Sequence, residues 1–184
     1  DLWTIIFTSG TTGNPKGVML TYQAIDGIKV VLDDPNNPLG IKHTGNNDFI
    51  SYLPLNHIFE RVVIEWCSFR YGGTISFVES IETFGQNLKE VQPHVFAAAP
   101  RVWTKLQMGI LSKFPQKKLD TLLKIPLFST ILKKLIRKGL GFSRVRVTVS
   151  GSAPMPVELI EWFREIGVYI TNGYGMTENC AICS

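Results

Sequence analysis

The run Thr8-Ser9-Gly10-Thr11-Thr12-Gly13-Asn14-Pro15-Lys16-Gly17 gathers the parts that a polyphosphate needs. Gly10, Gly13 and Gly17 let the backbone turn tightly and approach a ligand closely. The hydroxyls of Thr8, Ser9, Thr11 and Thr12 offer hydrogen-bond donors, and Lys16 adds one positive charge. An ammonium about 4 Å from a phosphate charge is worth roughly 4 kcal/mol at an effective dielectric near 20. That is enough to matter for holding a departing pyrophosphate. The Walker loop, G-x-x-x-x-G-K-[ST], does not fit. Pro15 stands where a glycine should precede the lysine, Gly17 replaces the Mg2+-binding hydroxyl, and the following residues read as strand instead of helix. A plain Gly/Thr/Ser hairpin turn would need no ligand, but so many hydroxyls beside a lysine favour the phosphate reading.

A second group lies near the other end of the chain. In Asn172-Gly173-Tyr174-Gly175-Met176-Thr177-Glu178, two glycines, an aromatic ring, a hydroxyl and a carboxylate follow a strand-like run. In Ser150-Gly151-Ser152-Ala153-Pro154, the glycine admits a flat ring against the backbone. Taken singly, Tyr174 reads equally as a loop aromatic plugging the core, and Glu178 as a solvated acid or a helix N-terminal charge. His57 follows a strand-like run, where it serves either as a site wall or as a capping and packing residue. Arg61 either gates a tunnel or pairs with Glu65, its i+4 neighbour. His43 and His94 have no second ligand at metal spacing, so zinc is unsupported. Cys180-Ala181-Ile182-Cys183 has redox-motif spacing without a thioredoxin context, and chance is the better reading.

These residues need elements to position them. Trp3 to Thr8 and Gly17 to Thr21 read as two strands around the polar loop. Thr21 caps a helix over Tyr22 to Leu32 that ends at the Asp/Asn/Pro cluster of residues 33 to 38. Beyond Asp48, apolar runs at 49–53, 74–78, 95–98, 145–149 and 168–171 alternate with helix-period segments at 59–71, 84–91, 101–114 and 157–166, plus a pair between 116 and 138 broken at Pro126. Alternation of this kind implies right-handed crossovers and an α/β fold, a mostly parallel, doubly wound sheet flanked by helices. Ligands bind outside the carboxyl ends of such strands, which is where the segments around His57, Pro100-Arg101, Gly151 and Tyr174 fall.

At 184 residues, 45% hydrophobic and 18% charged, the chain is one ordinary globular core, and disorder, collagen and coiled coil are excluded. No apolar run reaches the roughly 18 residues of a membrane span. The odd count of three cysteines argues for a reducing compartment. Net charge is +4, unevenly spread: residues 113 to 146 hold ten Lys and Arg against one acid, Asp120. Interleaved with Leu, Ile and Phe, this block reads as a solvated helical face or as a contact for anionic lipid.

On these motifs the chain resembles the adenylate-forming enzymes, which comprise acyl-CoA synthetases, luciferases and peptide-synthetase adenylation domains. Thr8 to Gly17 matches the signature loop, Tyr174-Gly175-Met176-Thr177-Glu178 looks like the Y-G-x-T-E motif, and Ser150 to Pro154 is a third match. Ser51 to Arg61 and Pro100 to Trp103 look most like long-chain fatty acyl-CoA synthetases. The resemblance implies ATP, Mg2+ and coenzyme A, with a fatty acid as the acid substrate and no nucleic acid partner. It implies that Ser9 to Lys16 grip the β- and γ-phosphates, Gly151, Ser152 and Ala153 line the adenine slot, and Tyr174, set among Asn172, Gly173 and Gly175, stacks on adenine. Thr177 would contact the α-phosphate, Glu178 bind Mg2+, and His57 stand near the acid.

The same resemblance makes residues 1–184 a fragment of one AMP-binding domain, with a phosphate-loop element and first helix over 1–47 and the α/β core over 48–184. The family's ribose-binding aspartate, its later arginine and its small C-terminal domain have no counterpart here, so full turnover by this piece alone is not expected. A nucleotide-binding module without ligase activity, or a ligase for another carboxylic acid, are the alternatives. A cytoplasmic location, peripheral membrane contact through 113–146 and self-association of the fragment are the further expectations.

Overall fold

The computed structural model describes residues 1–9, 13–34, 39–41 and 45–182. Leu2–Thr8 (β1) and Lys16–Thr21 (β2) pair antiparallel, with Thr8 opposite Lys16. Their β-branched and aromatic residues suit strand, and Gly13 in the connection sits at φ +84°, where glycine meets no steric cost. Thr21 caps α1 (Tyr22–Leu32), its hydroxyl oxygen accepting the Ala24 N–H at 3.3 Å. Ile25, Ile28 and Leu32 share one face of α1 and are buried.

The remainder alternates strand and helix. The strands are β3 (Asn47–Ser51), β4 (Gly73–Phe77), β5 (Val95–Ala98), β6 (Val147–Ser150) and β7 (Ile170–Asn172). They form one parallel sheet in the order β4-β3-β5-β6-β7. A π-helical segment, Glu60–Trp66, runs into α2 (Cys67–Tyr71) between β3 and β4. Then come α3 (Phe84–Val91), α4 (Pro100–Leu111), α5 (Gln116–Leu123), α6 (Pro126–Leu140) and α7 (Val157–Glu165).

Alternate strand residues point to opposite faces. Phe49, Val95 and Ala97 pack into a core with α1 and the π-helical segment, whereas Ile50, Phe96 and Ala98 pack into a second core with the later helices. Both faces are therefore covered, which is the doubly wound arrangement expected from the sequence. The strand order reverses at β3, which places a topological switch point between β3 and β5. In the second core, Trp103 meets Phe96 and Phe163 edge-on with ring centroids 5.1 Å apart, and its indole N–H donates to the Ala98 carbonyl at 3.2 Å. That bond ties α4 to the end of β5.

Several boundaries differ from the sequence reading. β3 ends at Ser51, not Leu53, because the Tyr52 N–H leaves the ladder for the Glu60 carboxylate at 3.1 Å. β6 starts at Val147, where its register with β5 begins. β7 starts at Ile170, since the Val168 N–H still bonds Phe163 at the exit of α7. The helix expected over 59–71 is π-helical through Trp66, and its wider turn buries Val62, Val63 and Ile64 in succession. α6 continues to Leu140 and ends on Gly141 at φ +84°, where a Cβ would overlap the Leu88 carbonyl.

Candidate functional site

Because the sheet is parallel, the segments that follow its strands emerge along one edge. Those after β6 and β7 enclose a cavity of about 330 Å3, into which Gly151 and Ser152 face from one side and Asn172, Gly173, Tyr174 and Gly175 from the other. Phe59 and Val63, from the helix after β3, supply an apolar wall with Leu32 of α1. The Gly173 N–H donates to the Ser150 carbonyl at 2.8 Å, which prolongs the strand pairing into the loop. Two of the glycines are needed for close approach. A Cβ at Gly151 would press to 3.1 Å from the Phe59 ring, and one at Gly175 would overlap the Ala181 backbone. Ser152 sits at φ +68°, a left-handed conformation that costs a non-glycine residue on the order of 1 kcal/mol. Tyr174 is 60% exposed at the cavity mouth, its ring free to take a flat partner.

The segment after Tyr174 closes on itself. The Met176 N–H donates to Asn179 Oδ1 at 2.9 Å, and Thr177–Asn179 forms one 3-10 turn. Glu178 is exposed on that turn. Ala153, Thr177 and Glu178 lie outside the cavity lining. The 3-10 turn packs against β2, so the phosphate-loop hairpin and the Tyr174 segment adjoin. On that hairpin Lys16 is exposed opposite half-buried Thr8, and Ser9 is exposed. Gly10, Thr11 and Thr12 lie outside the described residues.

The segment after β3 is a compact turn: the His57 N–H donates to the Pro54 carbonyl at 2.9 Å, and His57 Nδ1 accepts the Phe59 N–H at 3.3 Å. In the neutral ring this leaves the proton on Nε2, and the side chain is exposed. His57 thus caps this turn through Nδ1 and does not line the 330 Å3 cavity. Arg61 pairs with Glu65 at 2.9 Å and lies over the Trp3 ring at 5.7 Å, which fixes β1 to the π-helical segment.

Two residues on this edge lie inside the quoted motifs, but the motifs assign them no role. Glu60, only 1% exposed, receives the Tyr52 N–H; burial pushes its carboxyl pKa up, while the Ser51 hydroxyl and the Tyr52 and Leu53 backbones pull it back down. Ser150 is fully buried, lines the cavity, and its Oγ has no hydrogen-bond partner among the described residues. An acid between Phe59 and the apolar Val62-Val63-Ile64 run, and a hydroxyl at a strand's last position before glycine, were the available signals. Tyr52, whose phenol pKa burial also raises, borders a second cavity of about 560 Å3 between the segments that follow β3 and β4 and the helix α4.

Elsewhere the chemistry is structural. His94 Nδ1 accepts the Asp48 N–H at 3.1 Å, and burial, with Arg146 and Arg144 nearby, lowers its pKa. The Asp48 carboxylate pairs instead with Arg144 at 2.9 Å. No cluster of three metal-ligating side chains occurs among the described residues, and His43 and Cys183 lie outside them. Cys67 and Cys180 are buried free thiols, and burial pushes Cys67 up to about 12.

The AMP-binding enzyme family matches residues 1–184. The chain is 32% identical over 208 residues to Long chain acyl-CoA synthetase 4 of Arabidopsis thaliana, covering 98% of this chain and 30% of that protein. It is 34% identical over 203 residues to Long-chain-fatty-acid--CoA ligase 5 of Rattus norvegicus, covering 100% of this chain and 29% of that protein. Among solved structures, the A-PCP didomain of a carboxylic acid reductase from Segniliparus rugosus, in complex with AMP, superposes with a TM-score of 0.69 at 26% identity, over 96% of this chain and 24% of that one. The chain therefore spans about 30% of the length of the curated relatives it matches.

Proposed function

From the premise that the chain belongs to the AMP-binding enzyme family, we propose that the protein it forms part of is an ATP-dependent long-chain fatty acyl-CoA ligase. The observation that carries this reading is the cavity in which Gly151 and Ser152 face Asn172 to Gly175 at the carboxyl edge of a parallel sheet, with the phosphate-loop hairpin adjoining. Similarity to long-chain acyl-CoA synthetases across the chain supports the choice of acid.

In this proposal Tyr174 stacks on the adenine, and the flat ring slides against backbone at Gly151 and Ser152, with Ala153 next to them along the chain. The unpartnered Ser150 hydroxyl is available as a donor deep in the same cavity. Thr8 to Gly13 and Lys16 hold the β- and γ-phosphates, and Thr177 holds the α-phosphate. Glu178, an exposed carboxylate with no ion pair among the described residues, is a hard oxygen donor that fits Mg2+. The metal would supply charge neutralisation on the phosphate oxygens.

The substrate carboxylate attacks the α-phosphorus, an acyl-oxygen to phosphorus bond forms, and pyrophosphate leaves. Lys16 offsets charge as the two anions meet, and the strand-end loops hold them in line. Coenzyme A sulfur then attacks the acyl carbon and AMP departs. His57, on the turn beside the apolar wall, orients the acid.

Acid-dependent exchange of labelled pyrophosphate into ATP, measured on the full-length protein with acids of graded chain length, tests the reading. Exchange should be stimulated by long-chain acids, and Tyr174→Ala should raise the KM for ATP by up to roughly tenfold, the range of one stacking interaction. Exchange supported only by short or aromatic acids would make it a ligase for another acid. A folded protein that binds ATP without any acid-dependent exchange would be a binding module.

A further inference from the structure

Helix α6 has three chemically distinct sectors. Ser129, Leu132, Ile136 and Leu140 face the core and are buried. At about 100° per residue, Lys133, Arg137 and Lys134 occupy the next sector. Leu127, Phe128, Ile131 and Leu135 fill the last one, which Lys138 enters at its C-terminal end, and these four apolar residues are 53 to 73% exposed. A helix that only covers a core needs one apolar stripe. This one buries a stripe and presents a second.

The charge around the second stripe is one-sided. Besides the α6 cations, α5 and the turn after it carry Lys117, Lys118 and Lys124, all exposed, and Asp120 is the single acid between residues 113 and 146. The stripe also runs into an apolar cleft of about 540 Å3 between α3, α4 and α6, where Leu106, Leu132 and Leu135 meet the exposed lysines Lys89, Lys105 and Lys113. None of this belongs to the 330 Å3 cavity, whose lining includes no residue of α5 or α6.

We propose that the α5–α6 hairpin docks the protein on an anionic lipid bilayer, with the apolar stripe of α6 entering the acyl boundary and the flanking lysines engaging lipid phosphates. Charge complementarity and the stripe select this occupant together. A nucleic acid offers phosphates but no apolar layer for Leu127, Ile131 and Leu135. The buried core of a protein interface is depleted in lysine, whereas here Lys138 lies within the stripe itself, at its C-terminal end, and Lys134 lies directly beside it. A bilayer surface supplies both layers at the right depth. The inference stands on α6 alone and does not depend on the ligase reading.

The test uses the full-length protein and vesicles of phosphatidylcholine with or without phosphatidylserine. Hydrogen exchange over residues 124–138 should slow with the anionic vesicles, stay unchanged with the neutral ones, and revert at high salt. Lys134→Glu combined with Lys138→Glu should weaken vesicle binding about tenfold or more. Ile131→Glu with Leu135→Glu should abolish the slowing without lowering the melting temperature, because both side chains are exposed. The proposal fails if exchange over 124–138 ignores the anionic vesicles. It fails if that segment is already protected without lipid and the Ile131/Leu135 variant melts lower, since another part of the protein then covers α6. It fails too if that variant converts a dimer to a monomer, which would make the stripe an interface between copies.

Discussion

Glu60 is a carboxyl group inside the protein, and its surroundings pull in two directions. Burial raises its pKa, while the Ser51 hydroxyl and the Tyr52 and Leu53 backbones stabilise the charged form. Burial wins, so the folded state holds the proton to higher pH than the unfolded chain does. Glu60 therefore contributes stability that is fully present below the unfolded glutamate value and is lost as pH rises through the raised folded value. Glu60→Gln cannot titrate. Urea midpoints of the two proteins from acid to neutral pH should show the advantage of wild type over variant shrinking as pH rises, and a constant gap would sink the assignment. Glu60→Ala removes the acceptor from the Tyr52 N–H and should cost about 1 to 3 kcal/mol. Sequence alone does not show this residue's weight, because its burial depends on the π-helical segment packing against β3 and its exit at Tyr52 and Leu53. The same holds for Ser150, whose isolation follows from the packing around β6. Tyr174 and Gly151, which line the cavity, stand out in the sequence because their motifs are local: glycine spacing and a lone aromatic survive without knowledge of the fold.

Elements that terminate on local chemistry were read closely. The bounds of α1 follow from a threonine cap and its apolar face, and those of β5 from a short apolar run ahead of Pro100. Thr21→Ala should therefore lower stability by about 1 kcal/mol, with a shifted urea midpoint and an unchanged slope. Thr21→Ser should retain most of it, since serine keeps the accepting oxygen. An unchanged midpoint in the alanine variant would mean that packing alone holds α1. Elements whose ends depend on partners were misread by one to three residues. β3 stops where Glu60 captures a backbone N–H, and β6 starts where β5 offers a register. The π-helical segment has no sequence signature of its own, because α- and π-helices present similar apolar spacing over one or two turns. Arg61 illustrates both sides: its i+4 pairing with Glu65 was readable, and its seat over Trp3 was not.

At the scale of the molecule, apolar surface is left uncovered beyond the α6 stripe. Phe7 and Met19 on the hairpin, Phe69 on α2 and Phe77 on β4 are 65 to 77% exposed. β4 is an outer strand of the sheet, and a strand in that position can pair with another chain. Residues 1–184 expressed alone should therefore self-associate, with a mass in sedimentation equilibrium that rises with concentration. A clean monomer over the whole concentration range would refute this. The buried thiol of Cys67 gives the same molecule a built-in stopwatch. It is shut away from reagents, and with its pKa at about 12 almost no thiolate exists at neutral pH. An alkylating reagent can modify it only during excursions that part the π-helical segment and α2 from the sheet. The labelling rate then counts those openings, and its dependence on bound nucleotide would convert occupancy of the strand-edge cavity into a free energy of breathing.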